Sequence, residues 1–259
     1  LLDLLRDLIA DVGYTALTVI IGSAIIGGFI RGFVGFGGSM VVVLAISLTI
    51  GPKTAVAASC LSGLPVLLQL LPVAIRRSER AFVLPFGLAS FIAAPAGALV
   101  LVALNPAIMK LVIAALVLGM TFLLYRGWRT TRAGNPIYLA SAGAAAGFIQ
   151  GMAGVGGPPA VAVALSRPGE TDQQRANVIG AVSGLGLCII VPLYFHGLFT
   201  AEVVLLSLMI FPAYSVAAWL GGRFFGGPGA ALYRSAALAA LAGISAITLI
   251  FAVKDLLGG

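Results

Sequence analysis

Ten apolar runs divide this chain, and charge is nearly confined to the stretches between them. The runs fall near 14–31, 38–50, 54–73, 81–104, 107–125, 137–149, 158–166, 175–195, 203–222 and 230–252. Backbone N–H and C=O groups inside lipid have no water to bond, so a spanning chain must be helical or a closed barrel. Period-two alternation is absent, and only 9% of residues are charged, against about 25% in an ordinary soluble domain. The expectation is an all-α, polytopic helical membrane protein. Runs 38–50, 137–149 and 158–166 are shorter than the ~17 residues needed to cross a hydrocarbon core. The opening "LLDLLRDLIADVG" interleaves charge with leucine, as an interfacial helix does.

Two of the short runs follow a repeated glycine motif. Residues 28–38 read GFIRGFVGFGG and residues 147–157 read GFIQGMAGVGG. Seven of the eleven positions match at one offset of 119, and Gly97 and Lys110 pair with Gly221 and Arg234 at an offset of 124. The chain therefore divides into two halves, 1–132 and 133–259, of about five segments each. They form one integrated transmembrane domain.

Charge sets the orientation. If each motif region makes an even number of crossings and the N-terminus lies outside, ten basic residues fall inside: Arg76, Arg77, Arg80, Arg126, Arg129, Arg132, Arg167, Arg175, Arg223 and Arg234. Four fall outside (Arg6, Lys53, Lys110 and Lys254), and Arg31 lies within the first motif. This is the positive-inside bias, which also accounts for the net charge of +7 without nucleic acid. If each motif region were a single broken span, the bias would vanish. Five segments per half start the second half from the opposite face, so the two repeats are expected to be inverted, with broken or re-entrant helices at the motifs.

Two readings of the glycines stand side by side. Gly28/Gly32 and Gly147/Gly151 are GxxxG pairs of the kind that lets membrane helices approach closely. The denser clusters, Gly35, Gly37 and Gly38 with Gly154, Gly156 and Gly157, break a helix instead. Ser39 is an expected N-cap for the first restarted helix, and Pro158–Pro159 suits the start of the second. Free N–H groups at such starts attract anions. Two breaks meeting near the midplane would build one substrate site, with Arg31 supplying charge and Gln150 supplying directional hydrogen bonds. The other reading of Arg31 is a cation snorkelling to the inner surface.

Ser59, Ser62 and Gln69 share one helical face, and Asn177 and Ser183 lie on a later segment. Each set either lines the pathway or bonds between helices. Tyr125 and Trp128 beside Arg126 and Arg129 read as an interfacial anchor. Cys60 and Cys188 read as small buried hydrophobes. His196 reads as an interfacial residue.

Several classes are disfavoured. The eight acids, Asp3, Asp7, Asp11, Glu79, Glu170, Asp172, Glu202 and Asp255, all stand between runs or at the ends. A carboxylate relay, a cation pump and an intramembrane enzyme lack their residues. No nucleotide-binding motif of the GxxxxGK[ST] kind appears, and no metal or other cofactor is expected. An anion channel remains as the other transport reading.

The motifs "GFIRGFVGFGGSM" with "GPKTAVAASCLSG", and "GFIQGMAGVGGPPA" with "QQRANVIGAVSG", carry a resemblance. Over nearly its whole length the chain resembles the TauE/SafE family of bacterial membrane proteins, the sulfite exporter or 4-toluene-sulfonate uptake permease family. The resemblance implies a multi-pass protein of the bacterial inner membrane. It implies transport of small sulfur-containing anions (sulfite, sulfoacetate, other organosulfonates) or of carboxylates, often with coupled protons.

Cysteine labelling from outside tests the topology. Positions near Lys53, Asn105 and Gly197 should react, while those near Arg77, Thr130 and Gly169 stay protected; reaction at Gly169 with protection at Gly197 would overturn the five-plus-five arrangement.

Overall fold

Lipid leaves the backbone to satisfy itself, and the chain answers with helices throughout. In a computed structural model, residues 10, 12–126 and 130–225 are described. They form ten helices: α1 (Tyr14–Val34), α2 (Gly38–Thr49), α3 (Pro52–Arg77), α4 (Arg80–Ala103), α5 (Pro106–Tyr125), α6 (Pro136–Ala153), α7 (Gly157–Ser166), α8 (Thr171–Cys188), α9 (Ile190–Phe195) and α10 (Ala201–Phe225). Five stretches are long and apolar enough to cross a membrane: α1, α3, α4, α8 with α9, and α10. The chain is an all-α polytopic membrane protein. The run 230–252, Arg234 and most of the N-terminal segment lie outside the described residues, as do Trp128 and Arg129.

Local chemistry sets the helix ends. Proline opens α3, α5 and α6 at Pro52, Pro106 and Pro136, where its missing N–H costs nothing. Asn135 caps α6, accepting from the N–H of Ile137 at 2.9 Å. The run 175–195 divides at Ile189, where α8 gives way to α9. Pro192 explains the break, because its ring clashes with the carbonyl four residues earlier, at Cys188. Conversely, α6 continues past the end of run 137–149, through Gly151 to Ala153.

Glycine then decides which helices pair. Along α1, a Cβ at Gly28 would overlap the Tyr214 carbonyl of α10, and one at Gly32 the Ala218 carbonyl. From the other side, Gly221 of α10 sits equally tight on the Phe29 carbonyl. Along α6, Gly143, Gly147 and Gly151 meet the carbonyls of Phe86, Ser90 and Ala94 on α4, and Gly97 of α4 meets the Phe148 carbonyl. Residue numbers rise together in both pairs, so each pair is parallel. The correspondence is reciprocal: the first motif helix, α1, lies on α10, and the second, α6, lies on α4.

Polar ties gather the loops. The loop after α3 meets the one after α7: Arg77 pairs with Asp172 at 2.9 Å, and Glu79 accepts from Arg167 Nε at 3.1 Å and from its Nη2. Asn177 Nδ2 donates to Glu79 Oε1 at 2.9 Å, and the Glu79 N–H donates to Asn177 Oδ1 at 2.7 Å. Residues 130–133 join them through Thr130 N–H to Ser166 Oγ at 3.0 Å and Arg167 Nη1 to the Ala133 carbonyl. Three basic loops thus share one end of the bundle. At the opposite end of α3, Lys53 Nζ donates to the Val102 carbonyl at 3.0 Å.

Two outcomes follow. Gly32→Ala should lower thermal stability by about 1–3 kcal/mol, the scale of overpacking, whereas Gly22→Ala, with nothing within 4 Å of the new methyl, should be neutral or better; equal melting points for the two would refute backbone contact at Gly32. The hydrogen bonds from Arg167, above all, hold the Glu79 carboxyl below its usual range, with Asn177 adding to them against the opposing effect of burial. A depressed folded value stabilises the fold above the ordinary glutamate range, about pH 4.3, and the gain is lost as pH falls through the lowered value. Glu79→Gln should therefore melt a few degrees lower at neutral pH, and the gap should close in acid.

Candidate functional site

Each glycine motif folds as helix, elbow, helix. In the first, α1 ends at Gly35 with φ 94°, and its N–H returns to the Arg31 carbonyl at 2.9 Å. Gly37, with φ 85°, then opens α2. In the second, α6 ends at Gly154 with φ 69°. Positive φ at these elbows is open to glycine at little cost. Ser39 is not the cap expected from the sequence. The capping position is Gly37, which no serine would fill at that φ, and Ser39 lies in the first turn of α2.

The chain folds back at the first elbow, so Gly38 rests against Gly27 and the Cβ of Arg31. Each elbow also reaches across the bundle. A Cβ at Gly35 would stand 3.0 Å from Ile179 of α8, and one at Gly154 would stand 3.2 Å from Val43 of α2 and 3.6 Å from Val56 of α3. Phe36 of the first elbow lies 3.9 Å from the Cβ position at Gly157. The two breaks are neighbours.

Between them is a cavity of about 60 Å³. Arg31, Gly37, Ser39, Ser59, Gln150 and Gly157 line it, all expected from the sequence. Arg31 is 8% exposed, so it is buried beside the cavity rather than extended to a surface. Its Nη1 donates to the Gly35 carbonyl at 2.6 Å, where the negative end of the α1 dipole favours a cation. At the matching place Gln150 accepts from the Gly156 N–H at 2.8 Å. One residue braces the carbonyl side of its break and the other the N–H side.

The remaining expected residues lie elsewhere. Gly35 and Gly154 are elbows packed on neighbouring helices, and Gly156 is pressed against the Ala146 carbonyl. Gly38 is enclosed by the Gly27 carbonyl and Tyr214 Oη, so a side chain there would disrupt packing before it met any ligand. Ser62 is buried and bonds back to the Ser59 carbonyl at 3.4 Å. Gln69, expected on the same face, is exposed. Pro65 stands between them inside α3, and an internal proline removes a hydrogen bond and bends the helix. Asn177 belongs to the Glu79–Arg167 network. Ser183 is buried next to Val182, which lines the cavity, and its hydroxyl has no hydrogen-bond partner.

Tyr214 is the main residue that pattern reading missed. It comes from α10, is 4% exposed, and lines the cavity with its hydroxyl beside Gly38. No signal in the sequence marks it; the fold alone brings Tyr214 against Gly28. Cys60, Gly63, Leu64 and Leu67 of α3 complete one wall, with Val182, Gly186 and Ile189 opposite.

The donors are unequal between the breaks. The first N–H groups of a helix have no partner within it, and Ser39, in the first turn of α2, lines the cavity. At α7 the next residues are Pro158 and Pro159, which carry no N–H. The polar lining is therefore rich in donors on the first side: Arg31, Ser39, Tyr214 and the start of α2. Among the described residues no carboxylate lines the cavity, and no three of His, Cys, Asp and Glu gather as a metal site would require.

No curated protein and no solved structure gives a significant match to the chain. A family model described as Sulfite exporter TauE/SafE matches residues 20–249. That span takes in both glycine motifs, the reciprocal helix pairs and every residue of the cavity lining. The chain belongs to the TauE/SafE family of membrane transporters.

Proposed function

We propose that this protein is a secondary transporter of small sulfur-containing anions, such as sulfite, sulfoacetate or other organosulfonates, and that it holds them between its two glycine motifs. One observation carries the reading. Buried Arg31, Tyr214 and the first turn of α2 line one small cavity that both motifs reach. Charge-assisted donors of this kind suit a compact oxyanion.

The halves 1–132 and 133–259 act in this reading as inverted repeats of a single transmembrane domain in a bacterial inner membrane. The reciprocal pairing of α1 with α10 and of α6 with α4 supports it. The gathering of three basic loops at one end supports the same orientation. Rocking of the α1–α10 pair against the α4–α6 pair would expose the cavity to either face.

A thermal-shift screen against sulfite, sulfoacetate, taurine, sulfate, acetate and phosphate tests the ligand class, since a bound ligand stabilises the fold by mass action. Sulfite or a sulfonate should give the largest shift; a larger shift with acetate would move the reading to carboxylates. Two variants test the place. Gly157→Ala adds a methyl at the cavity wall with 3.9 Å to its nearest neighbour, so the fold should survive and saturable uptake should fall at least tenfold. Arg31→Gln should weaken binding by about 1.5–3 kcal/mol, the worth of a hydrogen bond to a charged group. Normal uptake in both variants would remove the site from the elbows. Uptake that never saturates would mark a channel instead.

A further inference from the structure

A helix that stops inside a protein leaves its last carbonyl oxygens without N–H partners of its own. At the end of α1, a side chain from a distant helix takes two of them. Arg175, near the start of α8, gives Nη2 to the Gly32 carbonyl at 2.6 Å and Nε to the Phe33 carbonyl at 3.3 Å. Arg175 is buried, and the negative end of the α1 dipole favours its charge there.

The face of α8 that carries Arg175 leads to the cavity. Arg175, Ile179, Val182, Gly186 and Ile189 follow one another at spacings of four and three, so they share a face. The last three line the cavity. Ile179 is where the first elbow rests, 3.0 Å from the Cβ position at Gly35. Arg175 lies a turn further on, toward the loops that bring together Arg77, Glu79, Arg167 and Asp172. Elbow and guanidinium therefore stand between the cavity and the basic-loop end of the bundle. The bonds also join two sets of helices. α8 lies along α4, where a Cβ at Gly180 would stand 3.1 Å from Val83 and one at Gly184 3.9 Å from Gly87, while α1 lies on α10. The second elbow, at Gly154, rests on Val43 and Val56, apolar side chains that part without breaking a hydrogen bond.

We propose that the first elbow is a gate of the cavity and that Arg175 is its latch. The anion passes the basic-loop end only when the guanidinium lets go of the Gly32 and Phe33 carbonyls and α1 parts from α8. The proposal rests on the anion-transport reading above and gives it a moving part. The two elbows then differ in kind. One yields by separating apolar surfaces, and the other by breaking charge-assisted bonds, about twice as strong as neutral ones.

The protein carries its own reporter for the test. Cys60 lines the cavity, whereas Cys188 is buried in the core. An impermeant anionic thiosulfonate is added to right-side-out and to inverted vesicles holding the full chain, and labelling of each cysteine is read by mass mapping. From the basic-loop face, Cys60 should label slowly in the unaltered protein. It should label about tenfold faster or more in Arg175→Gln, the scale of losing a hydrogen bond to a charged group. Cys188 should stay unlabelled, and labelling from the opposite face should not speed up. Arg175→Lys keeps the charge but loses the fork that spans two carbonyls, so its rate should fall between. An unaltered Cys60 rate in both variants, or an equal rise from both faces, would overturn the latch. Labelling of Cys188 as fast as Cys60 in both variants would overturn it too, marking Arg175 as a residue of the fold. Sulfoacetate and methanesulfonate, added as competitors, separate the latch from the site. Protection of Cys60 by either anion, with variants labelling like the unaltered protein, would keep the site and remove the latch. Faster labelling in Arg175→Gln that neither anion slows would keep the gate and remove the anion site behind it.

Discussion

Contact between backbones without side chains in between governs this molecule. Lipid is as apolar as leucine, so membrane helices gain little by hiding hydrophobic surface from one another and depend on close van der Waals approach. Gly28 and Gly32 let α1 settle onto α10, and Gly147 and Gly151 let α6 settle onto α4. These two seams fix how deep each motif helix reaches. They therefore fix where its elbow lies, and the cavity is what the elbows enclose.

The seams also explain why one motif carries two kinds of glycine. The early residues of each eleven-mer face a neighbouring carbonyl and are there for their size. The residues at Gly35, Gly37 and Gly154 are there for their backbone angle. Gly157 fits neither description, since its surroundings leave room for a methyl. Its place is the cavity wall. Packing and site were competing accounts of the motif in the sequence, and in the structure the packing glycines and the cavity-lining ones occupy different positions within it.

Much of this was legible beforehand. The runs, the repeat and the charge bias gave helices close to those observed, because lipid forces one secondary structure and because Gly and Pro punctuate it. Arg31, Gln150 and Ser39 could be placed near one cavity because the repeat pairs the two breaks, whereas Ser59 was offered by its helical face. Tyr214 could not, since nothing in one sequence says which helix lies on the GxxxG face. Gln69 was misplaced because a face was carried straight through Pro65. Asn177 was open between a pathway role and a bond between segments, and its partner, Glu79, lies 98 positions away in the chain. Local periodicity carries no record of such pairings.

The proline doublet at Pro158–Pro159 has a bearing on the protein's descent. Many two-fold transport folds are imagined as fusions of a small protein that once dimerised head to tail with itself. Two copies of the present second half would bring together a pair of donor-poor helix starts with no counterpart of Arg31 at either. Two copies of the first half would press a pair of guanidiniums into a space of about 60 Å³. Neither pairing makes a usable chamber. The complementary one does, with Arg31 and an N–H-bearing helix start at one break and Gln150 and a proline-capped start at the other. After such divergence the halves are no longer interchangeable, and joining them in one chain has become a condition of having the chamber at all.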